Sequence, residues 1–317
     1  MSRVTLTQLS AFILVARLGS VKDAAKLLGV SEPAVSQALA ALRQHLDDQL
    51  ITRSATGMIL TAGGGRLLPI ASQMVALGAE AEASVRASQG LPQQLRLVST
   101  STIAEFISSP LTDAFSRRSG GGVEASTGVA ASAEMPVLVA NRLADVALGP
   151  WLTDAASGLV SEPVFRYQLV AVAGRNSRPT GSPRSWPWLV DPSGVDPDSE
   201  VSRLLAMLDV PEKRVRVFPN QTAAWSAAAD GAGVAPGAAH LLAHQIQRGE
   251  LRPIATSATP REAIWYVTTL PRDRRPGIAS SLRHYLGKPE AMQLMRRPGG
   301  GVPPSVFRPP VYVTIWS

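Results

Sequence analysis

Gly19-Ser20-Val21-Lys22-Asp23-Ala24-Ala25-Lys26-Leu27-Leu28-Gly29-Val30-Ser31-Glu32-Pro33-Ala34-Val35-Ser36 is the stretch whose reading decides the fold. Ser20, with Asp23 three residues on, caps a short helix whose apolar face is Ala24, Ala25 and Leu28, and Gly29 stops it. Ser31 caps a second helix, Pro33 falls in its first turn where a missing N–H costs nothing, and Val35, Leu39 and Leu42 form its apolar stripe. The turn Leu28-Gly29-Val30-Ser31 is short enough to force a sharp crossing; Ala24 and Ala25 are expected to let the helices approach, and Val30 to plug the corner. Two helices joined this way form the unit that lays its second helix in the major groove of DNA.

Working outward, Thr5 and Gln8 make a capping box for a preceding helix, in which Leu9, Phe12, Ile13 and Ala16 recur until Gly19. Downstream, Leu50-Ile51-Thr52-Arg53, the turn Ser54-Ala55-Thr56-Gly57 and Met58-Ile59-Leu60-Thr61 read as a hairpin, a wing beside the helix pair. Residues 1–66 hold seven basic side chains (Arg3, Arg17, Lys22, Lys26, Arg43, Arg53, Arg66) against four acidic ones (Asp23, Glu32, Asp47, Asp48), a bias suited to phosphate.

Together these residues resemble the LysR-type transcriptional regulators. The resemblance rests on Leu9 and Phe12; Gly19-Ser20, Ala24-Ala25 and Leu28; Val30-Ser31, Pro33-Ala34-Val35-Ser36; Leu39, Leu42, Leu46; Leu50 and Arg53; and Leu60-Thr61-Ala62-Gly63. It implies that Glu32, Pro33, Ser36 and Gln37 face base edges and that Ser31, Arg53 and Thr61 hold backbone phosphates of double-stranded DNA. The chain departs from the pattern at Glu32, where Gln is usual, at Arg43, where Glu is usual, and at Ile51, where Phe is usual. A carboxylate at position 32 accepts from cytosine N4 and is repelled by phosphate, so the departure bears on operator preference rather than on binding mode.

From Arg66 to Ser88, Leu67, Ile70, Met74, Leu77, Ala81 and Val85 recur every three to four residues, which predicts a long amphipathic helix. The resemblance implies a dimerising linker here, in a homodimer or homotetramer, with the small residues Ala71, Gly78 and Ala81 expected against an identical copy. Packing of the stripe on its own domain is the alternative.

After the break at Gln89-Gly90-Leu91-Pro92, strand and helix signals alternate: a strand at Leu95–Val98, a helix through Phe106, Leu111 and Phe115, a strand near Val123–Ala125, a helix capped by Ser132, and a strand at Ala144–Leu148. A second lobe begins with a strand at Tyr167–Val172. Strands at Trp188–Val190 and Val215–Phe218 follow, with helices around Val201–Leu208, Ala223–Asp230 and Ala238–Gln247. Ile264–Val267 and the helix Ile278–Tyr285 return the chain to the first lobe. Two α/β lobes joined by crossing strands resemble the periplasmic-binding-protein-like effector domain of the same family, with Asp145 and Gly231-Ala232-Gly233-Val234-Ala235 in its recurrent segments. The expected organisation is a winged helix-turn-helix at 1–65, a linker helix at 66–90, a two-lobed α/β domain at 91–290 and a C-terminal extension at 291–317. Ligands of such sheets lie at the carboxyl ends of strands, which singles out Thr100, Ser101, Thr102, Ser132, Pro192, Ser193, Gln221 and Thr222. Hydroxyl and amide groups with little fixed charge suit a small organic acid or a polar metabolite of similar size.

The other readings are weaker. At 317 residues, 45% hydrophobic and 17% charged, the chain is expected to form two or three globular domains. With no cysteine, disulfides and thiol chemistry are excluded. No nucleophile triad, phosphate loop or zinc set is evident; Gly231–Pro236 stops short of a dinucleotide fingerprint, and His240 and His244 lack further ligands. No cofactor and no enzymatic activity are expected. Neither a signal peptide nor a membrane-spanning run is evident, so a soluble cytoplasmic protein is expected, with RNA polymerase as a further partner suited to a regulator. Competing functions are a two-lobed small-molecule binder whose helix-turn-helix serves protein contacts, and an architectural DNA binder without effector. The stretch Arg296–Pro304 reads as flexible, and the apolar end Val311–Trp316 as a segment suited to packing on a neighbouring subunit.

Overall fold

The computed structural model describes residues 4–54, 57–152 and 158–296. Three helices, α1 (Leu6–Leu18), α2 (Val21–Leu28) and α3 (Glu32–Leu46), precede a hairpin of β1 (Ile51–Ser54) and β2 (Gly57–Leu60). Thr5 and Gln8 close the capping box, while Ser20 and Ser31 accept from the backbone N–H groups of Asp23 and Ala34. Gly19 and Gly29 stop α1 and α2 in the left-handed conformation, with φ 68° and 65°, where a Cβ would be strained. Leu9, Phe12, Ile13, Ala24, Ala25, Leu28, Val35, Leu39 and Leu42 bury together as expected. Val30 does not plug the corner: it is 44% exposed, because the caps and the alanine pair already close the crossing. The expected wing-turn residues Ala55 and Thr56 lie outside the described residues.

Helix α4 (Ala62–Ser88) carries two apolar stripes. Leu68, Ala71 and Val75 are buried within the chain, whereas Ile70, Met74, Leu77 and Val85 are exposed, Leu77 by 63%. Two of the small residues expected to meet another copy serve the chain itself. Ala71 is fully buried, and a Cβ on Gly78 would stand 2.5 Å from Leu6 Cδ1, so that glycine lets α1 cross α4 closely. Ser72 Oγ donates to Asn141 Oδ1 at 2.6 Å, tying α4 to the first lobe.

That lobe is built on β3 (Gln93–Ser99), β4 (Val123–Val129) and β5 (Val146–Gly149), parallel strands in the order β4-β3-β5. Asp145 lies just before β5 and binds Arg96, accepting its backbone N–H at 2.8 Å and its guanidinium at 2.9 Å, which fastens β5 to β3. Over this sheet run α5 (Ser101–Ile103), a π-helical turn at Ala104–Ser108, and α6 (Ser109–Arg118), followed later by α7 (Met135–Ala140). Ser132 does not cap α7 as expected; α7 starts three residues later, after a turn in which the Glu134 carboxylate takes the Ala131 N–H at 2.7 Å.

Two long strands, β6 (Val160–Gly174) and β11 (Arg261–Thr269), pair antiparallel through both lobes, with a register shift between Trp265 and Tyr266. The second lobe adds β9 (Ala235–Ala238) and β10 (Leu251–Ile254) on β6, the parallel pair β7 (Trp188–Val190) and β8 (Val215–Val217), and helices α8 (Glu200–Met207), α9 (Gln221–Ala229) and α10 (Ala243–Gln247). A helix over 238–247 is therefore corrected to a strand followed by a shorter helix. The reason is packing: a Cβ on Gly237 would lie 2.8 Å from both Trp225 and Leu242, so this backbone is pressed flat against the core as a ladder strand. Helix α11 (Gly277–Leu286) and an unanticipated α12 (Pro289–Arg296) return to the first lobe, where Ala291 and Met295 are buried. The lobe thus extends past residue 290. Residues 297–317, with the apolar end Val311–Trp316, lie outside the described residues.

Candidate DNA-binding face and interlobe cleft

Helical geometry sorts α3 into two sides. Val35, Leu39 and Leu42 face the core, which leaves Glu32, Pro33, Ser36 and Gln37 exposed together at the N-terminal end. Ser31 is exposed beside them; its oxygen accepts from Ala34 N–H at 3.3 Å, and its hydroxyl proton remains free to donate. Arg53 on β1, and Lys22, Lys26 and Arg66 nearby in sequence, are exposed and form no ion pair among the described residues.

Thr61 is placed differently. Its hydroxyl donates to Asp48 Oδ1 at 2.8 Å and accepts from Gly64 N–H at 2.9 Å, capping α4. Asp48 also accepts Leu50 N–H at 2.6 Å, and these bonds hold its carboxyl below the usual carboxylate range. A residue that sequence reasoning missed is Arg43. Its Nε donates to Gln49 O at 2.7 Å and its Nη2 to Ile51 O at 3.1 Å, pinning the wing to α3. The signal was the unusual charge at this position, which had been noted without a partner.

The two lobes meet at a cleft where the candidate effector residues converge. Thr100, Thr102, Ser193 and Gln221 line a cavity of about 60 Å³, with Tyr167 and Trp265 of the crossing strands at its wall. Pro192 points away and is exposed. The expectation of little fixed charge fails: Glu200 lines this cavity, and three further carboxylates reach from one lobe to the other. Asp191 of the second lobe, 1% exposed, accepts from the hydroxyls of Ser101 and Thr102 across the cleft and from Ser193 within its own lobe. Asp196 accepts Ser132 N–H at 2.6 Å, while the buried Ser132 hydroxyl has no partner. Glu105, in the π-helical turn, reaches the other way and accepts the N–H groups of Gln221 at 2.9 Å and Thr222 at 3.1 Å, together with the Thr222 hydroxyl. Burial pushes Glu105 up from the ordinary glutamate range, and the nearby Asp191 charge adds to this. The Gln221 side chain is spent on Pro236 O at 3.1 Å.

Behind the cleft, the His240 ring stands edge-on to Phe165, Tyr167 and Trp265, with centroids 5.0, 6.0 and 5.5 Å away. Burial lowers its pKa to about 4, and its Nε2 has no hydrogen-bond partner. Among the described residues there is no group of three or more His, Cys, Asp or Glu suited to a metal, and no helix is long and apolar enough to cross a membrane.

Comparison with known proteins places these two regions. Residues 6–65 match the bacterial regulatory helix-turn-helix protein, lysR family, and residues 88–288 match the LysR substrate binding domain. An HTH-type transcriptional regulator of Mycobacterium tuberculosis, itself uncharacterised, is 32% identical over 99% of this chain and 100% of its own length. HTH-type transcriptional regulator CfxR of Cupriavidus necator is 27% identical, covering 95% of this chain and 96% of its own. Among solved structures, a full-length AphB variant superposes with a TM-score of 0.58 at 16% identity, over 89% of this chain and 98% of that one. Full-length CbnR in complex with its target DNA gives 0.52 at 20%, with the same two coverages. At these identities the structures speak for the shared fold alone. With both domains matched in order and a relative aligned from end to end, the chain belongs to the LysR family of DNA-binding transcriptional regulators with an effector-binding domain.

Proposed function

We propose that this regulator works in the cytoplasm as a homodimer or homotetramer, reads its operator with the N-terminal end of α3, and is switched by a small polar molecule in the interlobe cleft. The observation that carries the reading is the outward set on α3: Glu32, Pro33, Ser36 and Gln37 are exposed while the rest of the helix is held by its core face. In the major groove Gln37 would pair with adenine, Ser36 with either type of base, and Glu32 with cytosine N4. Ser31 and Arg53 would hold phosphates, and Thr61 would act through its cap by positioning α4 rather than by touching DNA. The exposed stripe of Ile70, Met74, Leu77 and Val85 supports self-association, since a solvated helix has no use for four large apolar groups on one side. We read the protein as a regulator and not an enzyme, because the cleft's polar groups bond to one another rather than standing ready for chemistry. RNA polymerase is the further partner an activator would need.

Selection of binding sites from random DNA, followed by footprinting, tests this. A dyad-related pair of half-sites separated by whole helical turns is the expected outcome. Equal retention of all sequences would overturn it in favour of an architectural role, and no retention in favour of a protein-contact role.

A further inference from the structure

The cleft is bridged by the chain's own carboxylates, and the bridges have the form that a bound acid would take. Glu105 leaves the first lobe and lands on the N-terminus of α9 in the second, where two backbone N–H groups and a hydroxyl receive it. Such a helix end, with its unpaired N–H groups and positive dipole end, is a natural seat for an anionic ligand. Asp191 does the converse: it leaves the second lobe and takes the Ser101 and Thr102 hydroxyls at the start of α5. Both side chains are at least 97% buried, Glu105 being 3% and Asp191 1% exposed. Every donor they receive is neutral, and the cavity lined by their partners Thr102, Ser193 and Gln221 carries a further carboxylate, Glu200, and no Lys or Arg. The cavity is small, about 60 Å³.

We propose that Glu105 and Asp191 are specificity-determining residues that stand in for an effector carboxylate, closing the cleft from within and excluding small acids from it. The proposal rests on the interlobe cleft being the effector site. A carboxylate arriving from solvent would find both anion seats filled and two like charges beside it, so the regulating ligand is one whose head group is not an acid. This replaces the organic acid suggested by the sequence. It also makes the closed arrangement the resting one, which a ligand must break into rather than create.

Removal of the internal acid should turn the seat into a receptor for a free one. In the full-length protein, Glu105→Ala leaves the Gln221 and Thr222 N–H groups facing a void of carboxylate size. We expect the variant to melt several degrees below wild type. Formate or acetate at ~100 mM should restore about 2–4 °C of this, while chloride at equal ionic strength and neutral formamide should not. Wild type should gain nothing from formate, acetate or a panel of dicarboxylates. Glu105→Gln is the companion variant if Glu105→Ala does not fold; it fills the void, so it should melt lower than wild type without rescue. The proposal is overturned if carboxylates stabilise wild type as much as Glu105→Ala, or if both variants melt with wild type. Failure of the cleft reading looks different: a ligand found by thermal shift whose affinity is the same in wild type and Asp191→Asn binds elsewhere, whatever the rescue shows.

Discussion

The N-terminal end of α3 and the interlobe cleft share residue types, Ser, Gln and an acid, yet they spend them oppositely. On α3, Ser36, Gln37 and Glu32 stand exposed, and Ser31 uses only its lone pair. In the cleft, Ser101, Thr102, Ser193, Gln221 and Thr222 all bond to protein partners. The comparison teaches that a polar side chain at a candidate site announces a ligand only when its hydrogen bonds are unspent. The polar groups at the end of α3 are exposed as they stand, whereas those of the cleft are already paired with one another.

The test with the largest expected effect concerns how the exposed face is delivered. Replacement of Met74 and Leu77 by Glu puts charges into the exposed stripe of α4, which does not line the cleft cavity. If two recognition helices must engage together, operator affinity should fall by at least ~100-fold through lost avidity, with sedimentation showing monomers and near-ultraviolet dichroism showing a folded effector domain. An unchanged dimer would move the interface elsewhere on the chain.

Next in size is Arg53→Ala. One lost phosphate contact should weaken binding to all DNA sequences alike and reduce the slope of log K against log salt by about one unit. A change confined to one base position would show that the wing reads sequence and that the two sides of the DNA face are not divided as described.

On the cleft side, acid should act through His240. Its pKa is lowered to about 4 from 6.5, so the fold favours the neutral ring. The stability this ring contributes is complete above pH 6.5 and is lost as pH falls from 6.5 towards 4. Glu105 and Glu134, whose carboxyls are raised by burial, act in the opposite direction on acidification. The informative quantity is therefore the difference between wild type and His240→Phe: melting temperature against pH should fall less steeply in the variant between 6.5 and 4. Parallel curves would show that the ring titrates normally.

The smallest effect is expected from Thr102→Val, which keeps shape and removes one donor from Asp191. Ser101, Ser193 and Gly194 still serve that carboxylate. Denaturant unfolding of the effector domain should show a loss of about 0.5–1.5 kcal/mol, and DNA affinity without ligand should not move. A fall in operator binding would break the separation between the two regions.

How legible each region was in the sequence follows from the range of its bonds. The caps of α1, α2 and α3 join residues three apart, so Thr5, Ser20 and Ser31 could be read off with their partners. The βα rhythm locates Thr100–Thr102 after β3 and Ser193 after β7, although Ser132 does not cap α7. Glu105 was not found because its partner lies 116 residues away; Asp191 has local partners in Ser193 and Gly194, but its partner across the cleft, Ser101, lies 90 residues away. Strand β9 was missed for a similar reason: Ala235–Ala238 has no alternating pattern, and only the pressure of Trp225 and Leu242 on Gly237 makes it extended. Position 43 is intermediate, since its unusual charge was visible while its carbonyl partners on the wing were not.

The antiparallel pair of β6 and β11 has a mechanical meaning. Because one ribbon runs through both lobes, they are not hinged like a book on a flexible spine; they are two grips on a single bar. Paired strands are twisted to begin with, and a bulge raises the twist locally, which makes torsion the motion expected of this ribbon. The register shift between Trp265 and Tyr266 interrupts the ladder beside the cleft and sets where that torsion gathers. If Glu105 parts from α9, a twist of the first lobe about the ribbon axis is the expected motion, and Ser72–Asn141 is the bond through which α4 would feel it. Ser72 stands only ten residues from the start of the 27-residue α4, so any such twist would reach the helix-turn-helix over a short, stiff arm.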